Sequence, residues 1–189
     1  HSNYSDGVMP LEKIAELCKV RGYEYTAVAD HSKTLHIAGG LEKKDLITKI
    51  KAIDKLNKRL KNFILLKSAE VDILGDGSLD YDDDILKELD IVTAAIHLGF
   101  KEKSPVITKR IISAMKNKHV HIIAHLTGRL LGIREGYSVD IDGVLKAAKD
   151  TNTALEINGF PERLDINDST AKLAKAKGID LAISTDAHT

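Results

Sequence analysis

The chain has 189 residues, 43% of them hydrophobic and 30% charged, with a formal net charge of zero. That is an ordinary balance for a soluble globular protein, long enough for one well-buried domain and short for two. No apolar run approaches the ~18 residues of a membrane span, no signal-peptide pattern opens the chain, and zero net charge makes the chain as a whole no electrostatic trap for nucleic acid.

Pro10 suits the first turn of a helix over 10–21, and Gly22 suits its stop. The apolar face of that helix is Leu11, Ile14, Ala15, Leu17 and Cys18. The single cysteine therefore reads as a buried structural thiol, and a reducing cytoplasm fits. Strand 25–29 follows, then a lysine-rich helix over 41–61 with Ile47, Ile50, Ile53, Leu56 and Leu60 at helical spacing. Next come a strand over 63–67, a short helix over 84–89 and a strand over 90–96. Ser104 as N-cap and Pro105 at the first position open a helix to about 117. The rest reads as strand 120–124, helix 140–149, strand 154–157, helix 168–177 ended by Gly178, and strand 180–184.

Strands that run apolar without polar alternation predict parallel pairing with both faces covered. About six βα units, with one strand expected before His1, favour a (β/α) barrel over an open doubly wound sheet. No linker, repeat or low-complexity segment interrupts 1–189, which predicts a single domain. The chain starts inside one loop motif and stops after another, which predicts a piece of a longer protein.

Polar residues recur where the predicted strands end. Asp30 and His31 follow the first strand, Glu70 the second, His97 the third, His125 the fourth, Asn158 the fifth, and Asp186 with His188 the last. In parallel βα folds these strand ends share one face, where catalytic groups gather. Each residue alone has a plainer explanation: a hydrogen-bonded histidine, a helix cap, a turn aspartate. Their recurrence at almost every strand end argues for a metal site. His36 and His119 read as solvated, and His121 as a mid-strand residue pointing inward.

His1, Asp6, His31, Glu70, His97, His125, Asp186 and His188 make eight ligand candidates. Imidazole with carboxylate suits Zn, Mn and Fe rather than Ca. One catalytic zinc takes about three protein ligands and a water, so eight imply two or three divalent metals, with Glu70 suited to bridging. Clustered metals suit phosphoester hydrolysis.

Six motifs then carry a family resemblance: His-Ser-Asn-Tyr-Ser-Asp-Gly (1–7), Ala-Asp-His-Ser (29–32), Ala-Glu-Val-Asp-Ile-Leu (69–74), Ile-His (96–97), Ala-His (124–125) and Thr-Asp-Ala-His (185–188). In this order, over essentially the full chain, the sequence resembles a PHP (polymerase and histidinol phosphatase) domain. It most resembles the C-terminal PHP domain of bacterial and archaeal family X DNA polymerases. The pointers are the stretches 72–81, His125-Leu126-Thr127-Gly128-Arg129-Leu130-Leu131, and 156–165.

The resemblance implies an α/β fold, a distorted seven-stranded TIM-like barrel with a trinuclear site. His1, Glu70 and Asp186 would hold one metal, Glu70, His97 and His125 a second, and Asp6, His31 and His188 the third. Glu70, Asp186 and His188 are the catalytic candidates. The family motif is His-x-His and His1 aligns with its second histidine, so the first ligand and its strand would precede this chain. The implied activity is metal-dependent 3′→5′ exonuclease action on DNA during repair, usually supported by Mn²⁺. Zn²⁺ and Fe are further candidates for the metal. Arg129 and Arg163 are phosphate-contact candidates, because a guanidinium grips two oxygens at once; surface ion pairing is the alternative. Asn158 is a polar residue of the mouth.

The lysines of 43–61 suit a solvated outer face better than a DNA track, and the acids of 80–84 would repel phosphate at the site. Grip on DNA 3′ ends would then come mainly from upstream polymerase domains, with no membrane and no obligate protein partner. Two rival readings share the motifs: a stand-alone phosphatase of the histidinol-phosphate type, and a catalytically inactive PHP module that scaffolds a polymerase.

Overall fold

The computed structural model describes residues 1–189. Its elements are α1 Leu11–Val20, β1 Tyr25–His31, a 3-10 turn His36–Ala38, α2 Lys43–Asn57, β2 Ile64–Asp72, α3 Asp83–Leu86, β3 Ile91–Ala95, α4 Ser104–Met115, β4 Ile122–Ile123, α5 Ile141–Thr151, β5 Ala154–Asn158, α6 Asp168–Ala176 and β6 Leu181–Ser184. The six strands follow chain order in one sheet, β1-β2-β3-β4-β5-β6. The paired strands run parallel, as the unbroken apolar runs predict.

The seven strands implied by the resemblance are corrected to six. Residues 1–10 are turn and bend, because Ser2 O accepts both Ser5 N and Gly7 N and folds this stretch back on itself. Helix α2 is shorter than the spacing predicts: the Asn57 side chain pairs with both backbone groups of Leu65, and the chain turns away. Ser104 is the first residue of α4 and not its cap; Lys103 supplies the extended N-cap backbone. His121 is exposed, not inward-pointing. Strand β4 has two residues, with Ala154 N→His121 O and Ala124 N→Ala94 O carrying the pairing one residue further at each end.

Two compact units are present: residues 1–71, 81–92 and 187–189 form the first, and residues 72–80 and 93–186 the second. In the first, Leu11 and Ala15 of α1, Ile53 and Leu56 of α2, Val28 of β1, Phe63 and Leu65 make the core. Each fully buried aliphatic side chain there contributes ~1.5–3 kcal/mol. Cys18, expected buried, packs half-buried against this cluster. Strands β1 and β2 pair from Tyr25↔Ile64 to His31↔Glu70, which sets two candidate ligands side by side at the strand ends.

In the second unit α4 packs on α5, with Ile107, Ile111, Val144, Leu145 and Ala148 buried. Asp140 caps α5 by accepting from Gly143 N at 3.1 Å, and Asn167 caps α6 by accepting from Thr170 N at 2.9 Å. Strands β5 and β6 pair from Leu155↔Leu181 to Asn158↔Ser184. No helix is long and apolar enough to cross a membrane.

Candidate metal centre

In the first unit, Asp30 organises the N-terminal turn. It is fully buried near the end of β1 and accepts Ser2 N, Ser2 Oγ and Ser5 Oγ, each at 2.7 Å. Its fourth partner is Lys49 Nζ at 2.6 Å, also fully buried, which donates in addition to Val28 O at 2.7 Å and Ser68 O at 3.0 Å. Burial pushes the Asp30 carboxyl up. The charge and hydrogen bond of Lys49, with the Ser2 donors, outweigh it and hold the group well below the usual carboxylate range. Burial draws the Lys49 ammonium down, against the pull of Asp30. Gly7 lets the turn close, since a Cβ there would stand 2.6 Å from the His1 carbonyl carbon.

The turn delivers His1 to His31, the residue after Asp30. Their rings stack at 4.4 Å, and the His188 ring stacks with His1 at 3.9 Å. His1, Asp6, His31 and His188 each present a donor atom within 4.8 Å of the others. The separations are 3.7 Å for His1 Nδ1–Asp6 Oδ1, 3.7 Å for His31 Nε2–Asp6 Oδ2 and 3.3 Å for His188 Nε2–Asp6 Oδ2. A tetrahedral ion with ~2.0–2.1 Å bonds needs donors about 3.4 Å apart, so three imidazoles and a carboxylate at this spacing fit a divalent transition metal. Glu70 Oε2 lies 3.4 Å from His1 Nε2 and 3.3 Å from His31 Nδ1. Each of these two rings is thus held between Asp6 and Glu70.

In the second unit, His97 Nδ1 meets Asp72 Oδ1 at 2.9 Å, the carboxylate–histidine arrangement that selects Nε2 as the metal-binding nitrogen. The His97 and His125 rings meet edge to face at 5.2 Å. Buried Glu156 accepts His125 N at 2.6 Å, Asn158 Nδ2 at 3.2 Å and the Ser184 hydroxyl. Asp186 Oδ2 accepts Asn158 Nδ2 at 3.0 Å and Arg163 Nε at 2.8 Å. His125 and Asp186 have φ of 24° and 50°. Such backbone strain in non-glycine residues collects where the surroundings fix a functional side chain.

The remaining substrate-contact candidate, Arg129, reaches the neighbouring loop: Nε donates to Arg163 O at 2.8 Å, and a terminal nitrogen to Leu164 O. Asp165 ties the same two loops together by accepting Thr127 N, Thr127 Oγ1 and Gly128 N at 2.8–3.0 Å. Three groups that position candidate ligands escaped the sequence reading: Lys49, Asp72 and Glu156. Lys49 carried a usable signal, because it interrupts the apolar stripe Leu46, Ile53, Leu56 of α2 at helical spacing. Asp72 lies two residues from Glu70 on β2 and Glu156 two residues from Asn158 on β5, each on the same face of its strand as a candidate already recognised.

No protein-family model matches the chain. It is 50% identical over 188 residues to a DNA polymerase/3′-5′ exonuclease PolX of Bacillus subtilis (strain 168), covering 100% of this chain and 33% of that protein. It is 37% identical over 143 residues to a probable phosphatase of Thermoanaerobacter sp. (strain X514), covering 70% of this chain and 56% of the relative. The chain thus spans between a third and somewhat over half of these relatives. Among solved structures, a histidinol phosphate phosphatase from Lactococcus lactis, complexed with Zn, L-histidinol and phosphate, shares the fold over the whole chain, with a TM-score of 0.68, 15% identity and 84% of that chain covered. Motifs, fold and identity along the whole of this chain agree: the chain is a PHP domain, most like that of the bacterial family X DNA polymerases.

Proposed function

We propose that residues 1–189 form one PHP metallophosphoesterase domain that hydrolyses phosphodiesters at DNA 3′ ends. It would act as the 3′→5′ exonuclease of a family X DNA polymerase in cytoplasmic DNA repair, with the polymerase domain upstream. The observation that carries this is 50% identity along the whole chain to a protein named for both activities.

On this reading the metal ligands are His1, Asp6, His31, Glu70 and His188 of the first unit and His97, His125 and Asp186 of the second. Two or three divalent ions are proposed for these ligands, Mn²⁺ or Zn²⁺, with Fe a further candidate. Such ions supply a nucleophile at neutral pH and neutralise charge on the phosphate. The chain itself fixes the donors. Asp30 and Lys49 hold the turn that carries His1 and Asp6, Asp72 orients His97, and Glu156 fixes the backbone of His125. Glu70, Asp186 and His188 act as the catalytic groups. Asn158 and Arg163 hold Asp186, so a phosphate contact from Arg163 uses its Nη groups. Arg129 acts from the adjoining loop.

The test is product analysis with Mn²⁺ added. Nucleoside monophosphates released stepwise from the 3′ end of an oligonucleotide support this reading. Inorganic phosphate released from histidinol phosphate, with the oligonucleotide intact, supports the second one, a small-molecule phosphatase, which 37% identity to probable phosphatases favours. Fewer than two bound metals and no hydrolysis of either substrate leave a scaffold module.

A further inference from the structure

Helix α2 carries its lysines in two distinct ways. Lys43 pairs with Asp84 at 2.6 Å and Lys49 with Asp30 at 2.6 Å, while Lys67 of β2 reaches Asp54 of α2 at 3.7 Å. Lys44, Lys51, Lys55 and Lys58 are exposed and take no carboxylate partner. At about 100° per residue these four fall within an arc of about 60°, and at 1.5 Å per residue they line about 21 Å of helix axis. Lys58 continues the row as the C-cap, still in right-handed helical conformation. Asp45 and Asp54 lie off the row, and Asp54 is turned toward Lys67.

Lys51 with Lys55 (i,i+4) and Lys55 with Lys58 (i,i+3) are like charges one turn apart, a spacing that weakens a helix, and Lys44 extends the row two turns upstream. Asp54, at i+3 from Lys51 and i−4 from Lys58, and the helix C-terminus beside Lys55 and Lys58 offset part of that repulsion, but none of the four lysines is in an ion pair, and the chain as a whole is neutral. The sequence alone favours a merely solvated face for these lysines; with four of them aligned, exposed and without carboxylate partners, the geometry points instead to a docking stripe for the phosphate backbone of a DNA strand. This rests on the nucleic-acid reading above and adds a contact surface to it. A lipid surface is the poorer match. A helix lying on a membrane turns an apolar face to the lipid, whereas Leu46, Ile53 and Leu56 of α2 are buried in the core.

The test is fluorescence anisotropy of a labelled ~20-nucleotide single strand, titrated with the 189-residue chain at several KCl concentrations without added metal. Four phosphate contacts give log K a slope of about −3 against log salt. The variant K44Q/K51Q/K55Q/K58Q, which keeps good helix formers at exposed positions, is expected to lose most of that slope and to bind at least tenfold more weakly at low salt. An equal-charge control, K19Q/K118Q/K146Q/K177Q, is expected to bind as the parent does. The proposal is overturned by equal loss in both variants, by unchanged binding in the stripe variant, by no binding at all, or by stripe-dependent binding to phosphatidylserine vesicles and not to the oligonucleotide. Hydrolysis of bis(p-nitrophenyl) phosphate with Mn²⁺ reads the catalytic function separately. Stripe-dependent binding without that hydrolysis supports the stripe and removes only the exonuclease reading.

Discussion

Lys49 and Asp30 form an ion pair 2.6 Å long in which neither side chain reaches solvent. Asp30 also takes three donors from the N-terminal turn, so the pair joins α2, β1 and the segment that presents His1. Removing one member of such a pair leaves the other charged and uncompensated, at about 3–5 kcal/mol. Lys49→Met is therefore expected to lower the unfolding free energy by that amount in a urea titration. The double variant Lys49→Met/Asp30→Asn is expected to cost less than the sum of the two single changes. Strict additivity would show that the two residues act independently.

The same pair sets an acid dependence. The folded-state pKa of Asp30 is held below its ordinary value despite burial. Its contribution is therefore fully present above the unfolded carboxylate pKa of ~3.9, and it is lost as pH falls toward the folded value. Urea midpoints measured in EDTA below about pH 4 are expected to fall more steeply for the parent than for Asp30→Asn. Parallel pH curves would count against this linkage.

Ligands and their supports are expected to separate in kinetics. Glu70→Ala and His97→Ala should abolish Mn²⁺-dependent hydrolysis while circular dichroism and thermal melting stay close to the parent. Asp72→Asn removes only the carboxylate charge behind His97, and a loss of ~10–100-fold in activity or metal affinity is expected. Full activity in either alanine variant would overturn the ligand assignment.

Gly7 gives a geometric test. Its missing Cβ would lie 2.6 Å from His1 C and 2.7 Å from Ser2 N, backbone atoms that cannot swing aside. Gly7→Ala is expected to weaken metal binding measured by isothermal titration and to leave the core of α1, α2 and β1 folded. Metal binding equal to the parent would mean that the turn tolerates another path.

Element order and type were legible because the periodicities are strong. Apolar runs marked the strands, and Ile53 with Leu56 marked the buried side of α2. The candidate ligands were legible because they follow strands, and chain order alone fixes which strand ends share a face. What escaped was the polar support inside the fold. Lys49 looked like one lysine among many until its partner came from a strand 19 residues earlier. Glu156 was hidden by lying within a predicted strand, and its role appears only with the Ser184 and His125 donors around it. The six strands read from the apolar runs are the six of the sheet; the seventh was implied by the resemblance and not by any apolar run of this sequence.

The hold of Asp30 on the N-terminal turn ties the seat of His1 to α2: Ser2 and Ser5 dock on Asp30, and Lys49 of α2 is the charge that holds Asp30. Metal uptake at this position becomes a readout of how well a helix far along the chain is seated, and a core substitution in α2 that touches no ligand would register as faster metal loss.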